Sequence, residues 1–135
     1  KMSSGVKIHQ DCIDAFQKQK IRKQHRYLLY KMDSTYENII LFKTSGPEET
    51  YEDFLKSIPE TECFYATIDL PDPNGQTPKL IFLMFTPENA KVKDRMVFAS
   101  SKDGFVKKLE GVHGKLLQAS ERSDLDYKLV ADQYF

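Results

Sequence analysis

The 135-residue sequence has no tryptophan, two cysteines, three histidines and no net charge, its 20 Lys and Arg balancing 20 Asp and Glu. Each shortage removes a class of function. Cys12 and Cys63 stand far apart, without a CxxC pair or a Cys/His spacing suited to zinc, so they read as buried thiols rather than a disulfide or a metal site. His9, His25 and His113 are equally scattered. No apolar run approaches the roughly 18 residues of a membrane span, and the start KMSSGVKIHQ lacks the apolar stretch of a secretion signal, which predicts a cytoplasmic protein. No GxSxG, P-loop or HExxH motif occurs, so nothing points to an enzyme or to a cofactor. With six Gly, six Pro and 40% hydrophobic residues, the chain is neither fibrous nor disordered. One domain over residues 1–135 is expected, behind a flexible start at 1–5.

The neutral total conceals segregation. Residues 7–31 carry net +5, residues 33–75 net −8, residues 79–115 net +4 and residues 116–135 net −2. Distinct basic and acidic surfaces suit a polar partner of mixed charge. A nucleic-acid-binding domain is usually basic as a whole, and this one is not.

Apolar spacing predicts the elements. Ile8, Cys12, Ile13 and Phe16 recur at helical intervals, so a helix is expected over His9–Lys18. Tyr27–Met32 and Asn38–Phe42 read as a hairpin. Thr50 with Asp53 three residues on opens a helix that Pro59 stops. Cys63–Leu70 and Lys79–Thr86 are the strongest strands, joined by a tip rich in proline that contains Asn74-Gly75. The second is almost wholly apolar, so helices should cover both sheet faces. A long helix is expected from Asn89 to Glu110, bent near Gly104, then a short strand over Lys115–Ala119 and a last helix opening at Ser123 or Asp124. The fold class is α/β (α+β), a mixed sheet of about five strands sandwiched between helices.

On the long helix Val97, Phe98, Ser101 and Phe105 form a core stripe at about 100° per residue. Met96 lies roughly 150° away, on a second face with Lys93 and Ser100 and flanked by Arg95 and Ala99. Two readings stand for that face. Met96 packs beneath a loop with Lys93 solvated, or it is an adaptable apolar anchor ringed by cations for a protein partner.

The stretch PENAKVKDRMVFASSKDGFVKKLEG, residues 87–111, closely resembles the long-helix signature of the actin-depolymerising factor/cofilin family. Its centre is Lys93-Asp94-Arg95-Met96 followed by Phe98-Ala99-Ser100-Ser101-Lys102. Ser4-Gly5-Val6, Glu62-Cys63-Phe64-Tyr65-Ala66 and Gln118-Ala119 support it, and Lys20–Met32 is similar to plant-type and protist members. The resemblance implies a single ADF-homology domain that binds actin monomers, favours ADP-actin and promotes filament depolymerisation, acting as a monomer at the cytoskeleton. It places the monomer-binding site on Ser4, Gly5, Val6, Lys93, Arg95, Met96 and Ser100. It makes Ser4 the regulatory phosphoserine, with Ser3 an adjacent competitor, and Lys93, Arg95 and Lys102 candidates for phosphoinositides.

A second, filament-side surface in the family combines a basic strand tip with charges in the last helix. Here Thr77-Pro78-Lys79 leaves Lys79 as the single base, and Asp132-Gln133 stands where an acidic–basic pair is common. Lys79 and Asp132 are therefore the filament-side candidates, and weak severing is expected. The alternative is a filament-binding or severing member, or a pure sequestering module. The cluster Lys18, Lys20, Arg22, Lys23 and Arg26 reads as a nuclear-import or phosphoinositide patch, or as a solvated face. His113 lies near a position linked to pH sensitivity in some relatives, with the local spacing one residue different.

Overall fold

A computed structural model describes residues 5–135 of the chain. Among these described residues six strands form one mixed sheet: β1 (Lys7–Ile8), β2 (Tyr27–Met32), β3 (Asn38–Thr44), β4 (Phe64–Leu70), β5 (Lys79–Phe85) and β6 (Leu117–Ala119). Their spatial order is β1-β3-β2-β4-β5-β6, with antiparallel pairs at the centre and parallel pairs at both edges. Four helices accompany them: α1 (Gln10–Arg22), α2 (Tyr51–Ser57), α3 (Val92–Val106) and α4 (Tyr127–Tyr134).

Alternation along β4 decides the layering. Phe64, Ala66, Ile68 and Leu70 point to one face, where Tyr51 and Phe54 of α2 and Val130 and Tyr134 of α4 cover them. Tyr65 points to the other, under Cys12 and Phe16 of α1 and Phe98 and Phe105 of α3. With every β4 side chain buried, neither face tolerates water, and helices on both sides are the only way to close the sheet. Thr50 and Asp53 cap α2 reciprocally, Thr50 Oγ1 accepting from the Asp53 amide at 3.2 Å and Asp53 Oδ2 from the Thr50 amide at 2.9 Å.

Several boundaries differ from the sequence reading, each for a local reason. The sheet has six strands because Lys7–Ile8 pairs with Asn38–Ile39, which takes Ile8 out of the helical stripe. Helix α1 runs four residues past Lys18 because Gln19 is a buried polar core residue. Its Nε2 donates to the Thr67 carbonyl at 2.9 Å and its Oε1 accepts from Thr67 Oγ1 at 2.7 Å, a pairing invisible to an apolar pattern. Helix α3 starts at Val92, since Pro87–Ala90 is a turn closed by the Ala90 amide on the Pro87 carbonyl at 3.0 Å and Lys91 is extended. It passes Gly104 without interruption, ends at Val106, and tightens into shorter turns that bury Leu109. Before α4, Arg122–Leu125 is a 3₁₀ turn.

At the β3 edge, Leu29 and Tyr30 pair with Lys43 and Leu41, so Phe42 has no residue opposite it. Its exposed ring carries Lys31 Nζ at 4.2 Å and Lys43 Nζ at 5.8 Å from the centroid.

The layer beneath α3 is a ring cluster. Phe105 meets Tyr30 at 4.9 Å, Tyr65 at 5.3 Å and Phe82 at 5.9 Å between centroids, and Tyr65 meets Phe98 at 4.8 Å. Phe105 is fully buried, so Phe105→Ala removes ring contacts and leaves a cavity. A loss of about 3–5 kcal/mol is expected in urea unfolding, without a change of secondary structure in the surviving folded fraction.

Candidate functional site

Helix α3 positions most of the residues singled out by the sequence. Its inward face is Phe98, Ser101 and Phe105, all buried. Tyr65, from β4, donates its hydroxyl to the Phe98 carbonyl, which fixes the rotation of the helix on the sheet. With that rotation set, Val92, Lys93, Met96, Ala99 and Ser100 are exposed. Met96 is 66% exposed and Val92, one turn earlier, 61% exposed. These two apolar side chains stand i, i+4 on one stripe, with Lys93 beside them and Ser100 one turn beyond Met96. The stripe is therefore outside, not under a loop. Val92 was missed by the sequence reading, although its spacing from Met96 carried the signal.

Arg95 differs from the expectation of a flanking surface cation. It is half-buried, with Nε enclosed and without a hydrogen-bond partner, and its charge acts on the neighbouring Cys63 thiol. Burial, with Asp94 nearby, pushes the Cys63 thiol up to about 11, and burial pushes Cys12 up to about 12, so both remain protonated at neutral pH. Lys102 is seven residues from Arg95 and nine from Lys93. At 3.6 residues per turn it therefore stands near Arg95 and about half a turn round from Lys93. The three phosphoinositide candidates do not converge on one point.

At the other end of the proposed surface, Val6 is 3% exposed and belongs to the core beneath α1 and α3. Its side chain faces inward, whereas the sequence reading placed it on the binding surface. Gly5 is exposed at φ 75°, a left-handed conformation that suits glycine. Gly5, Val6, Ile8, Ile13 and Lys108 line a groove of about 660 Å³ beyond the C-terminal end of α3. Ser4 and the other expected features of residues 1–4 lie outside the described residues.

The first turn of α3 is braced from the β2–β3 turn. Asp33 organises that turn: Oδ1 accepts from the Glu37 amide at 2.9 Å and from Thr35 Oγ1 at 3.1 Å, and Oδ2 accepts from Asn38 Nδ2 at 2.9 Å. Tyr36, in the left-handed region at φ 61°, donates its hydroxyl to Asp94 Oδ1 and lies under Lys93, with Nζ 4.6 Å from the ring centroid. The hydrogen bond to Asp94 raises the Tyr36 hydroxyl above its usual range.

The filament-side candidates meet at α4. Lys79 Nζ donates to the Tyr134 carbonyl at 2.5 Å and lies 5.1 Å from the Phe135 ring centroid, so its ammonium is held against the end of α4. Asp132 is exposed and pairs with Lys128 one turn back at 3.4 Å. His113 packs edge-on against Tyr134 with ring centroids 5.1 Å apart. The basic cluster near α1 is largely engaged within the protein. Lys20 Nζ donates to the Glu110 carbonyl at 2.8 Å, Lys23 pairs with Asp69 at 3.7 Å, and Arg26 bonds the Glu49 and Asp69 carbonyls. Among the described residues, no group of three His, Cys, Asp or Glu side chains is arranged to hold a metal, and no helix is long and apolar enough to cross a membrane.

Comparison with known proteins bears on this surface. Residues 5–134 match the family model of the cofilin/tropomyosin-type actin-binding proteins. The chain is 38% identical to Cofilin of Mycosarcoma maydis, with 98% of this chain and 96% of that protein covered. It is 35% identical to Actin-depolymerizing factor 10 of Arabidopsis thaliana, covering 95% and 93% respectively. Among solved structures it is similar to Streptomyces griseoflavus Cofilin, with a TM-score of 0.88, 31% identity and 96% of each chain covered.

The brace generates a pH-dependent prediction. Its hydrogen bonds, with Asn38 the largest contributor, hold the Asp33 carboxyl at about 2, below its usual 3.8. Ionised Asp33 therefore stabilises the fold above the unfolded value, and that contribution is lost as the pH falls through about 2. Asp33→Asn should melt below the wild type at neutral pH. The gap between the two melting curves should shrink as the pH is taken down through the interval from 3.8 to about 2.

Proposed function

This chain belongs to the cofilin family of actin-binding proteins, and from that premise we propose that it binds actin monomers through α3, favours ADP-actin and drives filament depolymerisation. One observation carries the reading. The Val92–Met96 pair is exposed on the side of α3 away from the core, and exposed Lys93, on the same turn of the helix, carries its ammonium over the Tyr36 ring. An exposed valine and methionine one turn apart cost solvation in the free protein and gain it when covered, which is how interface anchors behave. The adjacent cation suits a partner with an acidic rim. Gly5, Arg95 and Ser100 belong to the same reading, with the Val6 side chain acting from within the core. The chain is read as one ADF-homology domain, a monomer acting in the cytoplasm at the actin cytoskeleton.

Regulation follows the same chemistry. A phosphate on Ser4 would add about −1.5 to −2 charges to the start of the chain and oppose an acidic partner. Phosphoinositides would compete with actin at Lys93, with Arg95 and Lys102 contributing from the opposite side of the helix. Weak severing is supported by Lys79, the single base at the strand tip, being drawn onto α4, and by Asp132 being paired within its own helix.

The clean variant is Lys93→Ala with Met96→Ala, since both side chains are exposed and neither belongs to the core. Monomer affinity should drop by about tenfold or more while the melting temperature stays within a few degrees of the wild type. The measurement is inhibition of nucleotide exchange on ADP-actin; unchanged inhibition by a folded double variant would refute the assignment. Arg95→Ala is a poorer probe, because its half-buried stem contributes packing as well as charge.

Severing separates the monomer-directed reading from its rivals. Microscopy of labelled filaments at sub-stoichiometric protein should show few breaks, while a pelleting assay shows loss of polymer. Frequent breaks, or co-pelleting without loss of polymer, would favour a filament-side protein instead.

A further inference from the structure

The β2–β3 turn touches α3 where the exposed face begins. Tyr36 adopts a left-handed backbone that tyrosine seldom takes, held there by its amide on the Asp33 carbonyl at 3.1 Å and by the Asp33 side chain bonding the residues around it. Folding thus spends an unfavourable backbone conformation to present one ring. That ring packs against the edge of the core beneath α3 and makes two further contacts, on consecutive residues of the first turn of α3: the hydroxyl on Asp94 and the face under Lys93. The N-cap residue Lys91 contributes no side-chain bond to this end of the helix.

We propose that Tyr36 is a positioning residue for the partner-binding face of α3, holding the first helical turn through Asp94 and the Lys93 ammonium beside Met96 before a partner arrives. The assignment rests on the reading of α3 as the actin-monomer surface, and it adds a residue from a different element, 57 positions away in sequence from Lys93. An unrestrained lysine loses much rotamer freedom on docking, so restraining it in advance reduces that loss. An aromatic face restrains a cation without neutralising it, so an acidic partner still meets a full positive charge. A carboxylate in the same place would hold Lys93 equally well and cancel the charge it has to present.

The test uses Tyr36→Asn and Tyr36→Phe in the full chain. Asparagine tolerates the left-handed backbone and removes both contacts together with the ring's packing on the core; phenylalanine keeps the ring in place under Lys93 and removes only the hydroxyl. Tyr36→Asn should weaken ADP-actin monomer binding roughly fivefold to tenfold, with Tyr36→Phe between it and the wild type. In a Lys93→Ala background the further change to Asn should cost about as much as Tyr36→Phe costs alone, because only the Asp94 contact is left to lose. The upfield ring-current shift of the Lys93 side-chain protons should survive in Tyr36→Phe and vanish in Tyr36→Asn, a readout that needs no actin.

A general structural role would leave the effects of the two substitutions on binding additive, which would overturn the assignment. So would unchanged binding by Tyr36→Asn, or Lys93 protons that do not respond to loss of the ring. If Tyr36→Asn proves too unstable, Tyr36→Phe decides through Asp94 alone: binding equal to the wild type counts against the role. A wild-type protein that does not bind actin monomers overturns the underlying reading of α3 and this role with it. Wild-type binding with no effect at Tyr36 overturns this role alone.

Discussion

The seating of α3 on the sheet governs much of the rest. Phe98 and Phe105 drop into a floor of Tyr30, Tyr65 and Phe82, and the Tyr65 hydroxyl reaches the Phe98 carbonyl in the middle of the helix. Ring packing of this kind has directional preferences, so it fixes rotation as well as burial. A helix free to roll by one residue would turn through about 100°, carrying Met96 away from the surface stripe. The outward pair Val92 and Met96 is thus a consequence of inward geometry. That is why core residues with no partner contact still bear on the binding face.

Legibility in the sequence followed the physics of each element. Strands β4 and β5 were readable because burial on both faces leaves long, mainly apolar runs, and α2 because its capping pair, Thr50 and Asp53, stands three residues apart in the chain. Strand β1 was not, since two residues are too few to show an alternation. The extension of α1 depended on Gln19, whose polarity hides its burial until Thr67 arrives from β4. The charged stripe of α3 was visible as a pattern, with Val92 overlooked and Arg95 assigned more exposure than it has. Tyr36 was beyond reach, because nothing near it in sequence indicates that its ring will meet Lys93 and Asp94.

Charge segregation also acquires a finer meaning. Part of the basic block near α1 is paired within the chain: Lys20 closes on the segment after α3, and Lys23 and Arg26 gather around Asp69 near the end of β4. These cations tie layers together. Lys93 is different, exposed and resting on a neutral ring, so its charge stays available to whatever approaches. Two blocks of similar net charge thus contain cations in different circumstances, one set bonded to the chain's own acceptors and one resting on a neutral ring.

Beyond the two residues covered by β1, strand β3 is a sheet edge, and such edges invite other chains to add a strand. Phe42, unpaired and flanked by Lys31 and Lys43, sits on that stretch. The bulge breaks the regular ladder that a neighbouring copy would have to extend, and two ammonium groups would repel their equivalents on it. The exposed aromatic therefore sits where edge-to-edge stacking is discouraged. Restoring regular pairing there, by deleting one residue from β3, would turn a protected border into a template for fibrous self-assembly.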